Sequence, residues 1–347
     1  MMSMDTIETY AGTELRRLRD HSRYELLGVP FMESDGWLLP RRFRDVGEET
    51  ALLKAGRGVV DFSDHGILRI EGKDAVDLLQ RISTNDFRHS TEGNALQTVL
   101  LSEKGRIVDS IVVLHRNDHL LAITNRGANH DIAEWIEKFI IMEDVTVSDE
   151  TGQHPLYYRF MANDVDPTPE VQETGLNVFG INYFGLKSRF YCGNVLTSKS
   201  AGSGDLMQVG NEAFELFRIA KGVPAYGKEI VPDYNPLELG LRSQVSSTKG
   251  CYIGQEVIAR LETYKKVQRK LCRVQIDTIL HADKECRIFA EGKEAGNLTS
   301  HCANTGSEHA SIGLAIVKSV FAISGAQLQL DQQASILTIQ DIIDNVQ

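Results

Sequence analysis

Between residues 59 and 150 the apolar positions switch between two periods. Val59-Val60-Asp61-Phe62 and Ile67-Leu68-Arg69-Ile70 read as short strands. Ala75, Leu78, Leu79 and Ile82 recur at i, i+3, i+4 and i+7, which predicts an amphipathic helix. Ala95 to Leu101 predicts a strand, Glu103-Lys104-Gly105-Arg106 a tight turn, and Ile107 to Leu114 the returning strand. Arg116-Asn117-Asp118 turns into a further strand, Leu120 to Thr124. A second helix carries Ile132, Trp135, Ile136, Phe139 and Ile140, with Asn129 as its candidate cap. The resulting order, β–α–β–β–β–α–β, predicts an α+β sandwich rather than a doubly wound parallel sheet.

The flanks are patterned less strongly. Leu15, Leu18, Leu26 and Leu27 among many charges predict a helix within residues 5–27. Gly28-Val29-Pro30-Phe31 and Gly36-Trp37-Leu38-Leu39-Pro40 read as turns beside short extended pieces. Glu48 to Ala55 predicts a helix, and Gly56-Arg57-Gly58 a joint. From Glu150 to Gly210, Gly152, Pro155, Pro167, Pro169, Gly175 and Gly180 break the chain into short aromatic pieces and polar loops, and Ser198 to Asp205 reads as a loop tip. Asn211 to Gly222 predicts a helix with Ala213, Leu216, Phe217 and Ala220 on one face and Gly222 as its stop. Six alternating stretches between Leu271 and Ile339, separated by glycines and polar turns, predict a small antiparallel barrel.

Composition narrows the classes. At 347 residues the chain has room for two or three domains, and 42% hydrophobic with 24% charged residues is the balance of a globular protein. A net charge of -11 argues against a broad nucleic-acid surface. The five cysteines, at 192, 251, 272, 286 and 302, form no C-x-x-C pair and leave one odd, which predicts a reducing, cytoplasmic setting without a disulfide framework. The segment from Met1 to Tyr24 has no apolar core of a secretory signal, and no run of about 18 apolar residues predicts a membrane span.

Two stretches carry chemistry. On the strand from Ile107, alternation places Asp109 with Ile107, Ile111 and Val113, and both faces are largely apolar. A carboxylate there is expected to be buried, and so to be paired with Arg106 or backbone amides, shifted in pKa, or kept for a ligand. The second stretch runs from Ser246 to Arg260. It sets Lys249, Gly250, Cys251, Tyr252, Gly254, Gln255 and Glu256 in eight residues and then shows the helical spacing of Val257, Ile258 and Leu261. Cys251 would precede a helix N-terminus two residues after Lys249, a setting that favours the thiolate. The alternative is a buried cysteine beside a glycine turn. Cys272 alternates with Val274 and Ile276 and is expected in a core.

Lys249-Gly250-Cys251-Tyr252-Ile253-Gly254-Gln255-Glu256 resembles the signature of the YgfZ-like folate-binding proteins, relatives of the glycine-cleavage T-protein (aminomethyltransferase) that serve iron–sulfur cluster assembly or repair. Lys104-Gly105-Arg106-Ile107-Val108-Asp109-Ser110 resembles the T-protein G-G-I-x-D-D segment, with Asp109 at the first aspartate and Ser110 in place of the second. Arg218 and Gly222 match an R-x-x-x-G element of the same relatives. The resemblance implies a three-domain, T-protein-like α+β fold with a C-terminal antiparallel β-barrel. Its parts would be 1–50 with 151–262 as a discontinuous folate-binding domain, 57–150 as an inserted domain, and 265–347 as the barrel. It implies tetrahydrofolate or another reduced folate as cofactor. Asp109, Arg106, Lys249, Gly250, Tyr252, Gly254, Gln255, Glu256 and Trp37 would line its site, and Cys251 and Asp109 would carry the chemistry. Trp37 has core packing as its alternative. The G-Y-T-G-E-x-G-x-E element of true aminomethyltransferases is absent between 150 and 215, which leaves the pterin-binding carboxylate unassigned.

Two active functions remain open at this level, beside a third option of a folate-binding scaffold with neither activity. One is a folate-binding accessory protein for iron–sulfur apo-enzymes or assembly factors, centred on the Cys251 thiol. The other is a tetrahydrofolate-dependent one-carbon (aminomethyl or methyl) transferase, in which Asp109 orients or protonates the reacting nitrogen. The chain lacks a four-cysteine motif, which argues against a stable resident cluster, and its Cys/His spacings suit no closed zinc site. Arg260, Lys265, Lys266, Arg269, Lys270 and Arg273 against Glu262 suggest an anionic partner such as a folate glutamate tail, or a solvated strand.

Overall fold

The computed structural model describes residues 8–10, 13–116, 118–162, 177–193, 206–280, 286–303, 311–330 and 335–344. Ser198 to Asp205, with Pro167, Pro169 and Gly175, lie outside the described residues. The chain opens with β1 (Glu8–Tyr10), β2 (Thr13–Arg17), α1 (His21–Leu26), β3 (Phe31–Ser34), β4 (Trp37–Pro40) and α2 (Val46–Lys54). It continues through β5 (Gly58–Asp61), β6 (His65–Glu71), α3 (Ala75–Ile82), β7 (Ala95–Leu101), β8 (Ile107–His115), β9 (His119–Arg126), α4 (Asn129–Glu137) and β10 (Thr146–Asp149). Then come β11 (Leu156–Phe160), β12 (Asn177–Tyr183), β13 (Leu186–Cys192), β14 (Met207–Val209), α5 (Asn211–Lys221) and α6 (Gln255–Thr263). The last strands are β15 (Arg269–Ile276), β16 (Cys286–Ala290), β17 (Lys293–Ala303), β18 (Ser311–Lys318), β19 (Gln327–Leu330) and β20 (Ile336–Ile342).

The predicted run from β6 to β10 is present in the expected order, with its strands arranged β10-β6-β9-β8-β7. Val59 and Val60, read with that run, belong through β5 to a different sheet, β12-β13-β11-β5-β14, in which β14 lies parallel to β5. The helix expected over 5–27 is corrected to two strands and a six-residue helix, α1. Arg16 and Arg17 pair in parallel with Trp37 and Leu38, giving the segment backbone partners that a helix would forgo. Leu15 and Leu18 are buried while Leu26 and Leu27 stay exposed, so the leucines never share one helical stripe. Asn129 is corrected too. It is the first helical residue rather than the cap, and its side-chain nitrogen donates to Asp149 Oδ2 at 2.6 Å.

The six C-terminal strands close a barrel in the order β15-β18-β17-β16-β19-β20. All its pairings are antiparallel, so closure leaves no free edge. Cys272, Val274 and Ile276 fill its core as the alternation predicts. Each fully buried aliphatic side chain there contributes roughly 1.5–3 kcal/mol. The fold is thus mixed α and β with few helices. No helix among the described residues is long and apolar enough to cross a membrane.

The chain forms two compact units, Met1–Ala75 with Ser90–Leu96 and Val112–Phe214, and Val76–His89 with Gln97–Ile111 and Glu215–Gln347. In the first, β1 to β4 form a sheet ordered β1-β2-β4-β3 over a small core of Leu18, Tyr24, Val29, Trp37 and Leu39. The second holds the barrel and both chemistry-bearing stretches, Gly105 to Ser110 and Ser246 to Arg260.

Candidate functional site

The signature begins after a short 3-10 turn, Arg242–Gln244, and ends in α6 at the residue the spacing indicated, Gln255. Gly254 supplies the left-handed turn into the helix, with φ 78°. A Cβ at this position would fall 2.8 Å from the Ser102 carbonyl oxygen and 3.2 Å from Gly105 Cα. Gly105 itself has φ 67°, and a Cβ there would meet the Val257 side chain at 2.9 Å. Two glycines from different motifs therefore let the Lys104-Gly105-Arg106 turn press against the start of α6. Ile258 is buried behind it, and Glu256 stands in the first turn of α6, where a negative charge suits the helix dipole.

Lys249 has its own partners. Its Nζ donates to the carbonyls of Ser83, at 2.7 Å, and Asn85, and lies 5.3 Å from the centre of the Tyr252 ring. The residue is 5% exposed, and burial lowers its pKa to about 8 against the pull of Asp86. Burial also pushes the Tyr252 phenol up to about 12. Ser246 N donates to Thr84 O at 3.0 Å and Ile253 N to Arg81 O at 3.3 Å. The signature is thus stitched to the end of α3 and the turn after it. The sequence placed the Lys249 charge next to the thiol; the structure commits it to two buried carbonyls.

Cys251 is exposed, whereas Cys192 and Cys272 are buried and Cys286 and Cys302 are partly so. Burial raises Cys192 to about 11 and Cys272 and Cys302 to about 12, which keeps those three thiols protonated at neutral pH. The alternative of a buried Cys251 is not what the structure contains.

Asp109 is 0% exposed, as alternation on β8 predicts, and its Oδ1 accepts from the Ser110 backbone amide at 2.8 Å. Arg106 is half-exposed at the turn, donates to the Asp233 carbonyl at 2.7 Å and lies 3.6 Å from Glu238. Trp37 lies in the other unit, buried in the core around Leu39, with the Arg16 guanidinium 5.8 Å over its ring. Its core-packing reading accounts for every contact described.

Sequence reasoning missed a polar seam in the second unit. Thr84 Oγ1 donates to the Gln244 carbonyl at 2.7 Å and Ser110 Oγ to Gln244 Oε1 at 2.8 Å. Gln97 Nε2 donates to Ser110 Oγ at 3.2 Å, and Asn85 N to Thr98 Oγ1 at 2.9 Å. Gln244 Nε2 is buried with no hydrogen-bond partner among the described residues. The partners are far apart in the chain, and the only local signal was a serine where the T-protein pattern has aspartate. Three buried acids of the first unit, Glu49, Asp61 and Asp64, were also missed. Among the described residues no group of three or more His, Cys, Asp or Glu is placed to hold a metal ion. What the seam and Asp109 can do is orient a neutral polar group and hold or release a proton.

Comparisons with known proteins agree with this architecture. The GCVT N-terminal domain family matches residues 21–157. An aminomethyltransferase of Thermotoga neapolitana is 27% identical over 82% of this chain and 85% of its own length. One from Bacillus pumilus is 26% identical over 91% of this chain and 94% of its own. The crystal structure of glycine cleavage system aminomethyltransferase T from Bartonella henselae superposes with a TM-score of 0.81 at 17% identity, covering 96% of this chain and 98% of that one. Residues 21–157 are thus a match to the GCVT N-terminal domain, set in a chain with the aminomethyltransferase-like fold.

Proposed function

We propose that the protein binds tetrahydrofolate, or another reduced folate, and acts as a folate-dependent one-carbon (aminomethyl or methyl) transferase. The observation that carries this reading is the GCVT N-terminal domain match within a fold that follows an aminomethyltransferase over nearly the whole chain. The residues present suit a neutral polar heterocycle. A buried carboxylate, Asp109, and a buried hydroxyl, Ser110, stand in one unit with the buried amide of Gln244, whose Nε2 has no hydrogen-bond partner among the described residues. Bound tetrahydrofolate would supply the ring and aryl nitrogens that carry the one-carbon unit. Asp109 orients or protonates the reacting nitrogen, and Arg106, Lys249, Gly250, Tyr252, Gly254, Gln255 and Glu256 build the surrounding wall.

Calorimetry with tetrahydrofolate tests the binding, and Asp109→Asn should weaken it. Transfer is tested with an S-aminomethyl thiol carrying a labelled carbon. Label recovered in methylene-tetrahydrofolate, with ammonia and free thiol released, supports the transferase. Binding without transfer would sink it and leave a folate-binding protein.

A second reading is favoured by one observation, the exposed thiol of Cys251 at the entrance to α6. In it the chain serves iron–sulfur apo-enzymes or their assembly factors. A deletion strain scored for iron–sulfur enzyme activities, rescued by wild type but not by Cys251→Ser, would support this reading; equal rescue would remove it.

A further inference from the structure

In the first unit, the turn between β5 and β6 builds an oriented imidazole. His65 N donates to Phe62 O at 2.9 Å, which brings the Phe62 ring flat against the His65 ring, with centroids 4.3 Å apart and planes 6° from parallel. Phe62 stacks in turn on Tyr158, so the imidazole rests on a fixed aromatic shelf. Its Nδ1 lies 2.8 Å from Asp64 Oδ1. Asp64 Oδ2 accepts from Arg126 Nε, and the same guanidinium donates to Ser34 Oγ at 2.8 Å and Asp35 Oδ2 at 3.1 Å. Three separate segments thus converge on one side chain. Other histidines also face carboxylates, but those beside His21, His119, His130 and His154 are all more open to water than Asp64, which is 1% exposed.

The protonation pattern follows. Arg126 and His65 hold the buried Asp64 carboxyl down at about 2, so at neutral pH it can only accept. Neutral His65 must therefore carry its proton on Nδ1, which leaves the Nε2 lone pair free to take one. Nε2 has no hydrogen-bond partner among the described residues, and it is not an enclosed atom, for the imidazole stays 13% exposed. Moving an aminomethyl carbon from a thiol onto tetrahydrofolate breaks its bonds to sulfur and to nitrogen and forms two bonds to folate nitrogens. Each folate nitrogen gives up one proton; one ends on the thiol and one on the departing ammonia. Asp109 is a single carboxylate and carries one proton at a time. The residues 21–157 that match the GCVT N-terminal domain contain His65 as well as Asp109. We propose that His65 is a second proton-transfer residue of this reaction, its Nε2 taking a proton from a folate nitrogen and passing it to the departing ammonia. Asp64 is its positioning residue. The inference rests on the transferase reading given above and deepens it by naming a second acid–base group.

The test begins with nitrogen-15 NMR of the histidine side chains as tetrahydrofolate is added, the His65 signals being identified by their absence in His65→Gln. The free protein should show His65 protonated at Nδ1 with a bare Nε2, and tetrahydrofolate should shift the Nε2 signal. In the transfer assay His65→Gln should still bind tetrahydrofolate but lose about a hundredfold in rate, and added imidazole should restore part of that loss, which a merely structural role would not allow. His65→Asn takes the place of the glutamine variant if that protein does not fold. A wild type that transfers the carbon with its Nε2 signal unmoved overturns the assignment and leaves the folate reading standing. So does a His65→Gln protein that transfers at the wild-type rate, that loses tetrahydrofolate binding, or that imidazole does not rescue. Failure of wild type to transfer overturns the transferase reading and this inference with it.

Discussion

Asp61 should give the protein a stability that falls as pH rises toward neutrality. The residue ends β5 and is buried. Its Oδ1 accepts from the Ser63 amide at 2.9 Å and its Oδ2 from the Tyr24 hydroxyl at 2.6 Å, and Gln208 Nε2 donates to that hydroxyl at 2.7 Å. Burial pushes the carboxyl from 3.8 up to about 6; Ser63 and Tyr24 oppose this, and the nearby Asp64 adds to it. Between those two values the folded chain keeps a proton that the unfolded chain has released. The contribution of Asp61 is therefore fully present below about pH 4 and is lost as pH rises through about 6. A shift of about two units at about 1.4 kcal/mol each makes the whole effect roughly 3 kcal/mol, of which about 2 kcal/mol falls between pH 4.5 and 7. Asp64 behaves oppositely. Burial would raise it, but Arg126 and His65 bring it down to about 2, so its contribution is lost only as pH falls from about 4 toward 2. The two windows do not overlap. Urea unfolding of wild type and Asp61→Asn, compared at each pH from 4.5 to 7, isolates the titration, because every other group is common to both. Wild type should lose about 2 kcal/mol relative to the variant over that interval. Parallel curves would refute the reasoning.

Gly254→Ala should destabilise by about 2–4 kcal/mol, combining a left-handed residue with a Cβ forced against the Ser102 carbonyl; a urea shift worth less than about 0.5 kcal/mol would contradict that geometry. Lys249→Met should cost about 2–4 kcal/mol by leaving the Ser83 and Asn85 carbonyls without their donor. Lys249→Arg, which keeps charge and donors, should recover part of the loss. If Met and Arg variants are equally stable, the strut is not what Lys249 provides. Iodoacetamide at neutral pH should label Cys251 before Cys192, Cys272 and Cys302, which burial holds protonated; peptide mapping led by any of those three would reverse the assignment.

Where structure is set by neighbours in sequence, the chain could be read directly. Ala75, Leu78, Leu79 and Ile82 form α3 because their spacing alone makes one apolar face, and the hairpin of β7 and β8 follows from two alternating runs around a glycine turn. The barrel strands are legible for the same reason, since each carries its own period-two core face. The N-terminal strands were not legible, because their pairing comes from β4, some twenty residues downstream, and outweighs a weak local helical preference. Asp109 was legible as a buried acid since a single charge on a strand apolar on both faces allows no other outcome. Gln244 was not. Its meaning depends on the hydroxyl of Ser110, 134 residues away, and an isolated glutamine before a motif carries no pattern.

The signature itself shows why a motif is not a roster of ligands. Of its eight residues, Lys249 is spent on two carbonyls, Tyr252 packs under that ammonium, and Gly254 makes room for the Gly105 turn. These positions are dictated by packing within one unit, and changing them acts first on stability. Gly250 tolerates a Cβ with nothing within 4 Å, and Cys251 beside it is exposed. The exposed tip of the turn, at Gly250 and Cys251, is therefore where this segment is open to an external partner. The one-carbon and thiol readings consequently draw on different residues of the same unit. Asp109→Asn should weaken folate binding with Cys251 labelling intact, and Cys251→Ser should leave folate binding unchanged. Loss of Cys251 labelling in Asp109→Asn, or of folate binding in Cys251→Ser, would show that the two act as one site.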